Sequence, residues 1–518
     1  MNSLSGKFKL SKIDSLSTRK LYLPIVILGM LLAARIQYIQ HGWINPDSVL
    51  YFESARLFAL GDWQGAIKVF NWPLYSILIA VTHKLTTLNI HTSAQLLSVI
   101  FFGITTASFL KIIELAGGGT RVMLAGALIL FSSHYLVGDV LEMLMRDQGF
   151  WAFYLTSLVF FIRFFRTKSY MDAFFWQTSA ILATLFRIEA ISYLIFLPAI
   201  LLFTQHGPWK QRLGDFLKCN FLNIIAGVSI ISFLFLHNDL SMSSFGRLRE
   251  VFTTNLFQEL TQQLHEKSAI MAKQVLGKYL QDFAVQGLLL TFIYIMIAKA
   301  ISSIGVINVG LTVFAIKSRR SMMDEQAFRV LSVAAIIAII NMALIITKVF
   351  VLSGRYVLAL SLILMIFASF YLASLFKYLQ PTSSNEKKLK WLTVALIVFM
   401  SLSLVKNILP KEKGYNYQQE AVAWLKEHNK SNKPVFYEDS RMRYFAGAPY
   451  VGTGIYNWEL LAAENKNNST YNYEYLVISH ATQHPEKEAL IAEKLPEYHE
   501  VNRFSSAKSK KSIVIYQK

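Results

Sequence analysis

The stretch VLSVAAIIAIINMALIIT, residues 330–347, contains no charged residue. A run of this length predicts a membrane-spanning helix, because about 20 apolar residues are needed to cross the hydrocarbon core of a bilayer. The rest of the chain is similar in character: 54% of its 518 residues are hydrophobic, 16% are charged, and the mean hydropathy is +0.40. Soluble domains carry about 25% charged residues. The composition therefore predicts an all-α polytopic membrane protein and argues against a soluble enzyme.

About eleven transmembrane helices are predicted from the apolar segments of the sequence. These segments lie at residues 21–39, 93–110, 122–137, the residues just before Arg163, 173–186, 190–203, 221–236, 287–316, 330–347, 357–376 and 392–405. The segment 287–316 is over-long and contains Lys299, which indicates a half-helix followed by a span. The apolar residues 72–82 are too few for a span and are interpreted as interfacial or re-entrant.

Basic residues recur in short clusters between the apolar segments, as at residues 163–168, 210–218, 317–320 and 377–390. Loops rich in Lys and Arg stay in the cytoplasm, and a single assignment places all of these clusters on the inner side. It also places the basic residues 1–20 in the cytoplasm, before an uncleaved signal anchor. The formal charge of +19 is thereby explained by topology rather than by nucleic-acid binding.

Residues 409–518 have the composition of a soluble domain, and by alternation they are predicted to be extracytoplasmic. The segments PVFY (434–437), YEYLVIS (473–479) and SIVIY (512–516) resemble short buried strands. Helical spacing of apolar residues occurs in QQEAVAWLKEH (418–428) and PEKEALIAEKL (485–495). The prediction is a small α/β domain.

The sequence carries no motif of a soluble enzyme. It contains no Walker loop, HExxH, CxxC or GxSxG motif. The only cysteine, Cys219, excludes an intrachain disulfide and a cysteine-based metal site. No cofactor is predicted, and a requirement for a divalent metal is left open.

Charged residues cluster at the predicted outer ends of the spans and in the outer loops. Ion-coupled carriers place such groups near the bilayer midplane, often in two related halves, and neither feature is evident here. The pattern therefore predicts a site at the outer membrane face. Its charged members are Asp47, Glu53, Arg146, Asp147, Arg187, Glu189, Lys348 and Arg355.

Five segments of the chain carry a resemblance to a known family. INPDSVLYFESARLFALGDW (44–63), followed by WPLYSILIA (72–80), resembles the first extracytoplasmic loop of GT-C membrane glycosyltransferases, within the outer loop 42–91. MRDQGFWAF (145–153), FRIEAISYLIFLPAILL (186–202) and GRYVLAL (354–360) resemble later motifs in the same order. The nearest branch is that of the protein O-mannosyltransferases and aminoarabinose transferases. At residues 47–48 the chain has Asp-Ser, whereas that branch has two consecutive acidic residues.

The resemblance implies inverting transfer of a sugar from a polyprenyl-phosphate donor to an envelope glycan, lipid or protein in a bacterial inner membrane. Such chemistry needs a carboxylate to accept a proton and cations to hold the departing phosphate. It implies catalytic roles for Asp47 and Asp147. Phosphate binding is implied for Arg355, Lys348 and Arg146, and supporting roles for Glu53, Tyr51, Arg187, Glu189 and Tyr356.

Each of these residues also has an ordinary structural interpretation. Asn45, Pro46 and Asp47 make a normal helix start. Arg146 and Asp147 fit an interfacial ion pair, Arg355 and Lys348 fit snorkelling, and Tyr356 fits an aromatic belt. Two other functions remain open: a non-enzymatic lipid or glycan carrier, and a GT-C ligase or polymerase whose donor and acceptor are both lipid-linked.

Overall fold

The computed structural model describes residues 17–39, 43–203, 207–236, 256–319, 322–380, 383–410, 416–452, 473–481, 486–506 and 510–518. The predicted basic cluster before residue 17, Arg320, and part of the polar outer stretch after residue 236 lie outside these residues. All statements of absence or number below refer to the described residues.

The described residues form helices along most of the chain and a small sheet near its end. The α-helices of the first 408 residues are α1 Thr18–Ile39, α2 Pro46–Leu60, α3 Trp63–Val69, α4 Leu74–Thr86, α5 Ile90–Leu115, α6 Thr120–Ser132, α7 Asp147–Thr167, α8 Tyr170–Phe186, α9 Ile191–Phe196, α10 Ile200–Phe203, α11 Trp209–Cys219, α12 Phe221–Leu236, α13 Leu256–Gln274, α14 Ala284–Ile304, α15 Val306–Lys317, α16 Glu325–Val349, α17 Leu358–Leu375 and α18 Ser384–Ile408. A π-helix covers His134–Val140, and short 3₁₀ turns cover Ile188–Ala190, Leu197–Ala199, Gln281–Phe283, Gly354–Val357 and Phe376–Leu379. The later elements are α19 Asn416–His428, β1 Val435–Tyr437, α20 Ser440–Ala446, β2 Tyr475–Ala481, α21 Glu486–Lys494, β3 His499–Ser505 and β4 Lys511–Gln517.

The long apolar helices identify a polytopic membrane protein. Seven described helices are long and apolar enough to cross a membrane, and the number is eight if the bent pair α6 and the π-helix is one span. All eleven predicted segments are helical, but several helices are shorter than a span, such as Ile188–Phe203 and Val306–Lys317. The number of eleven spans stays a prediction.

Two of the predicted apolar segments are each divided into two helices. The over-long apolar segment divides at Gly305, whose φ of +87° ends α14 and begins α15. Glycine is favoured there because a side chain destabilises the left-handed region. The second break lies at Ser133, where the axis bends by 45° between α6 and the π-helix. The apolar residues 72–82 lie on the 13-residue helix α4, which is shorter than a span as predicted.

The described residues divide into two compact units. The first unit takes in residues 1–36, 96–142 and 146–408, and the second takes in residues 37–95, 143–145 and 409–518. In the first unit, α17 is buried around most of its circumference and packs against α6 and α15. A helix that is apolar on all sides belongs in a protein interior, so α17 forms the centre of this unit.

The second unit contains the sheet, with strand order β1-β2-β4-β3. β1 is parallel to β2, and the other pairs are antiparallel. Alternate residues of β2 point to opposite faces: Leu476 belongs to one core cluster with Ile491 of α21, and Val477 belongs to another with Val422 of α19. The three predicted strands and both predicted helices are confirmed. The edge strand β3 was not predicted, because its residues HEVNRFS are mostly exposed.

Candidate functional site

A buried ion-pair cluster lies in the first unit, centred on Arg187. This residue follows α8 in extended conformation, at φ −142° and ψ 120°. Its Nε and Nη2 donate to the two carboxylate oxygens of Glu189 at 3.3 and 3.2 Å, and its Nη1 donates to Oδ1 of Asp147. The guanidinium carbon also lies 4.3 Å from the centre of the Tyr356 ring. Arg187 is therefore held by two carboxylates and one aromatic face.

Asp147 joins a second guanidinium to this cluster. It is the first residue of α7, where a negative charge is favoured by the helix dipole. Its second oxygen, Oδ2, lies 3.9 Å from Nη1 of Arg355, which is on the 3₁₀ turn before α17. The Asp147 side chain is 2% exposed and that of Arg355 is 24% exposed. One buried carboxylate thus orients two arginines, of which Arg355 is accessible.

Tyr135 of the π-helix completes the surroundings of Arg355. Its hydroxyl hydrogen-bonds to Ser353 and interacts electrostatically with Arg355. Gly354 is required at this point, since a Cβ there would come within 2.5 Å of the Tyr135 hydroxyl and 3.0 Å of Ser303 Oγ. The break between α6 and the π-helix therefore positions a phenol beside the accessible arginine.

Two carboxylates and three guanidinium groups meet in this cluster. Asp147 and Glu189 face the guanidinium groups of Arg187 and Arg355, and Arg146 also interacts electrostatically with Glu189. With 24% of its side chain exposed, Arg355 is accessible to an anionic group.

A cavity of about 540 Å³ lies beside Tyr135 in the first unit. Its walls include hydroxyl groups from both helix breaks, among them Ser133 and Ser303. Two apolar side chains of α18, Phe399 and Leu402, line it as well and are exposed on the surface of the helix. The cavity therefore has a polar side that includes Tyr135 and an apolar side on a long apolar helix.

The structure brings together most of the predicted site residues of the first unit. Lys348 is an exception, since its Nζ pairs with Glu259 of α13 at 3.5 Å. Sequence reasoning missed Tyr135, which lies in an apolar segment with no distinguishing signal. It also missed Asn341, whose Nδ2 donates to the carbonyl oxygen of Glu189 at 3.2 Å.

The remaining predicted residues lie in the second unit, on α2. Asp47 is half-buried at the second position of this helix, and its N–H donates to Oδ1 of Asn45 at 2.9 Å. This is the ordinary helix start that the sequence also allowed. Glu53 accepts two hydrogen bonds from Arg56, at 2.7 and 2.8 Å. Tyr51 is buried edge-on against Tyr75, with the ring centres 5.4 Å apart, which is a packing contact.

Metal ligation finds no support in the part of the chain that the structure describes. No group of three or more His, Cys, Asp and Glu side chains there could hold a metal ion.

The fold and the buried cluster define a polytopic membrane protein with a small C-terminal sheet, and a solved structure shares this fold. It is the archaeal oligosaccharyltransferase AglB from Archaeoglobus fulgidus, in complex with an inhibitory peptide and a dolichol-phosphate. The two structures align with a TM-score of 0.51 at 10% sequence identity, over 89% of this chain and 69% of the other. This likeness confirms the predicted polytopic membrane fold at a coarse level. The sequence matches no protein-family model and no curated protein.

Proposed function

We propose that the protein is a membrane glycosyltransferase that takes a sugar from a polyprenyl-phosphate donor and transfers it to an acceptor at the extracytoplasmic face. The observation that carries this proposal is the buried cluster around Asp147, in which the Arg355 guanidinium is held by a carboxylate and remains accessible. The fold supports it, because the similar oligosaccharyltransferase was solved with a dolichol-phosphate, which is a polyprenyl phosphate.

Arg355 is the proposed ligand of the donor phosphate. A guanidinium donates two parallel hydrogen bonds to phosphate oxygens and stays charged at all working pH values. The neighbouring Tyr135 hydroxyl supplies a further donor. The cavity beside Tyr135 supports this role, since its walls combine apolar side chains of α18, which suit an isoprenoid chain, with hydroxyl groups, which suit a polar headgroup.

Asp147, Arg187 and Glu189 are proposed to act as positioning residues. Asp147 is too deeply buried to reach an acceptor, and both of its oxygens face guanidinium groups. Its charge orients Arg355, while Glu189 fixes the opposite side of Arg187. This arrangement gives the phosphate a preorganised partner, and fixed charges of this kind stabilise a transition state more effectively than mobile ones.

Asp47 is proposed as the general base. An acceptor hydroxyl oxygen attacks the anomeric carbon of the donor sugar and loses its proton to the Asp47 carboxylate. The bond between that carbon and the phosphate oxygen breaks, and its electron pair stays on the departing phosphate.

A transfer assay tests the proposed function. Purified protein is mixed with polyprenyl-phosphate donors carrying a radiolabelled monosaccharide and with an envelope extract as acceptor. We expect label to appear in a glycan, lipid or protein product, which mass spectrometry then identifies. Movement of labelled lipid between vesicle leaflets without a product would indicate a carrier instead. Transfer only from lipid-linked oligosaccharides would indicate a ligase or polymerase.

A further inference from the structure

A second cavity, of about 700 Å³, lies within the second unit, and neither Asp47 nor the residues of the Arg187 cluster are among its lining residues. It is formed by α2, by the start of α5, by α20 and by the residues that follow α20. Its volume is typical of a small-molecule site, since such sites measure about 300–1,000 Å³. All of the segments that form it belong to the same compact unit.

Aromatic rings make one wall of this cavity. Phe52 lies 5.4 Å from the His91 ring and 5.6 Å from the Tyr444 ring, with interplanar angles of 42° and 44°. Neither of these pairs is stacked, so the rings do not cover one another's faces. Together they form an apolar surface. Phe52 is 2% exposed and forms the floor, whereas His91 and Tyr444 are half-buried at the sides.

Polar groups face the rings from the other walls. Glu53 and Arg56 of α2 line the cavity together with Asn89, Arg443 and Tyr450. The charged members are already engaged: Arg56 is paired with Glu53, and the Arg443 Nε and Nη2 donate to the Tyr437 carbonyl oxygen at 2.9 and 2.7 Å. Burial raises the pKa of the Tyr444 hydroxyl to about 12, so it is a hydrogen-bond donor at neutral pH.

We infer that this cavity binds a neutral saccharide ring, and, on the basis of the proposed function, that this ring belongs to the acceptor. Aromatic rings pack against the C–H face of a pyranose, while carboxylate, amide and guanidinium groups bond its hydroxyl edge. Glu53 is engaged with Arg56, and Arg443 is engaged with the Tyr437 carbonyl oxygen, and side chains held in this way suit a neutral polyhydroxyl ligand. The cavity thus provides the two kinds of contact that a sugar ring needs.

Binding is measured directly on the full-length protein in detergent. The probes are glucose, galactose, mannose, N-acetylglucosamine and their disaccharides, each followed by saturation-transfer NMR. We expect at least one probe to bind the unchanged protein, and Tyr444→Ala to weaken that binding by about tenfold or more, because the main ring contact is lost. Glu53→Gln preserves size and should also weaken binding while leaving thermal stability unchanged. Matched controls are Tyr279→Ala and Glu325→Gln, which alter exposed side chains outside the cavity.

Two results would overturn the inference: no probe binds the unchanged protein, or a probe binds it and both cavity variants equally well. Displacement of the bound sugar by inorganic phosphate would assign the cavity to an anion and would also overturn it. The transfer assay separates this inference from the proposed function. Sugar binding that depends on Tyr444 in a protein without transfer activity leaves the cavity a saccharide site and removes the proposed function. Transfer activity without sugar binding at this cavity would support the proposed function and overturn the saccharide site.

Discussion

Arg187 donates a hydrogen bond to Asp147, forty residues earlier in the chain, and both side chains are almost completely buried. A buried ion pair contributes little net stability when both partners are present, but removal of one partner leaves a buried charge without compensation. The pair is therefore more informative about positioning than about stability, and it makes the cluster sensitive to single substitutions.

Arg187→Ala is expected to lower the free energy of unfolding by about 3 kcal/mol or more, because Asp147 and Glu189 lose their common partner. Thermal unfolding of the purified protein measures the effect. Glu325→Gln is the matched control, since Glu325 and Arg329 form an exposed pair one helical turn apart, and its loss should cost about 0.5 kcal/mol or less. Equal effects of the two substitutions would show that the cluster is not a buried ion pair in the native protein.

Arg355→Ala should weaken binding of a short-chain polyprenyl phosphate by about tenfold or more, because a charge-assisted hydrogen bond to phosphate is lost. Arg355→Lys should recover part of the affinity, since the charge remains but the planar fork does not. Lys348→Ala should have a smaller effect, because Lys348 is paired with Glu259. Calorimetric titration compares the three variants. If the affinity of Arg355→Ala is unchanged, Arg355 does not bind the phosphate and is only an interfacial residue.

These residues also show how much of the structure can be predicted from the sequence. The start of α2 was predicted in detail, because Asn45, Pro46 and Asp47 determine it locally. Hydropathy placed Asp147 and Arg187 at helix ends, but their contact depends on the packing of α7 against α8, which hydropathy does not encode. Tyr135 was missed for a similar reason. The bend at Ser133 brings Tyr135 near Arg355, and the hydropathy of an apolar segment does not predict such a bend.

The C-terminus is expected to be extracytoplasmic, because one assignment of the basic clusters leaves it on the outer side. Alkaline phosphatase fused after Lys518 should be active, and green fluorescent protein at the same position should be dark when exported unfolded. The opposite pair of signals would reverse the topology and place the proposed site on the cytoplasmic side.

Acidic pH should destabilise the sheet of the second unit through His480. This buried residue of β2 contacts the Tyr516 hydroxyl through Nε2 at 3.1 Å, and burial lowers its pKa from 6.5 to about 4. Below pH 6.5 the unfolded chain binds a proton that the folded chain does not, so stability falls as the pH falls toward 4. The loss between pH 7 and pH 5 should be about 2 kcal/mol.

Hydrogen exchange of peptides covering β2 and β4, corrected for intrinsic exchange rates, measures this loss in the full-length protein. His480→Phe removes the titrating group and should flatten the pH dependence. Protection that declines equally in both proteins would mean that another group is responsible.

Asp47→Asn is the sharpest test of the proposed base. The amide preserves the size of the side chain and the helix start at Pro46, but it cannot accept a proton at neutral pH. We expect normal thermal stability and normal donor binding, with turnover reduced by about a hundredfold or more. Asp62→Asn is a matched control, since Asp62 caps α3 through the Gly65 N–H at 2.8 Å and asparagine caps equally well.

The helix-start interpretation predicts a different result: both asparagine variants retain turnover, and only Asn45→Ala, which removes the cap of α2, costs about 1 kcal/mol of stability. Near-normal turnover in Asp47→Asn would therefore leave Asp47 a structural residue and make Glu53 the next carboxylate of α2 to test.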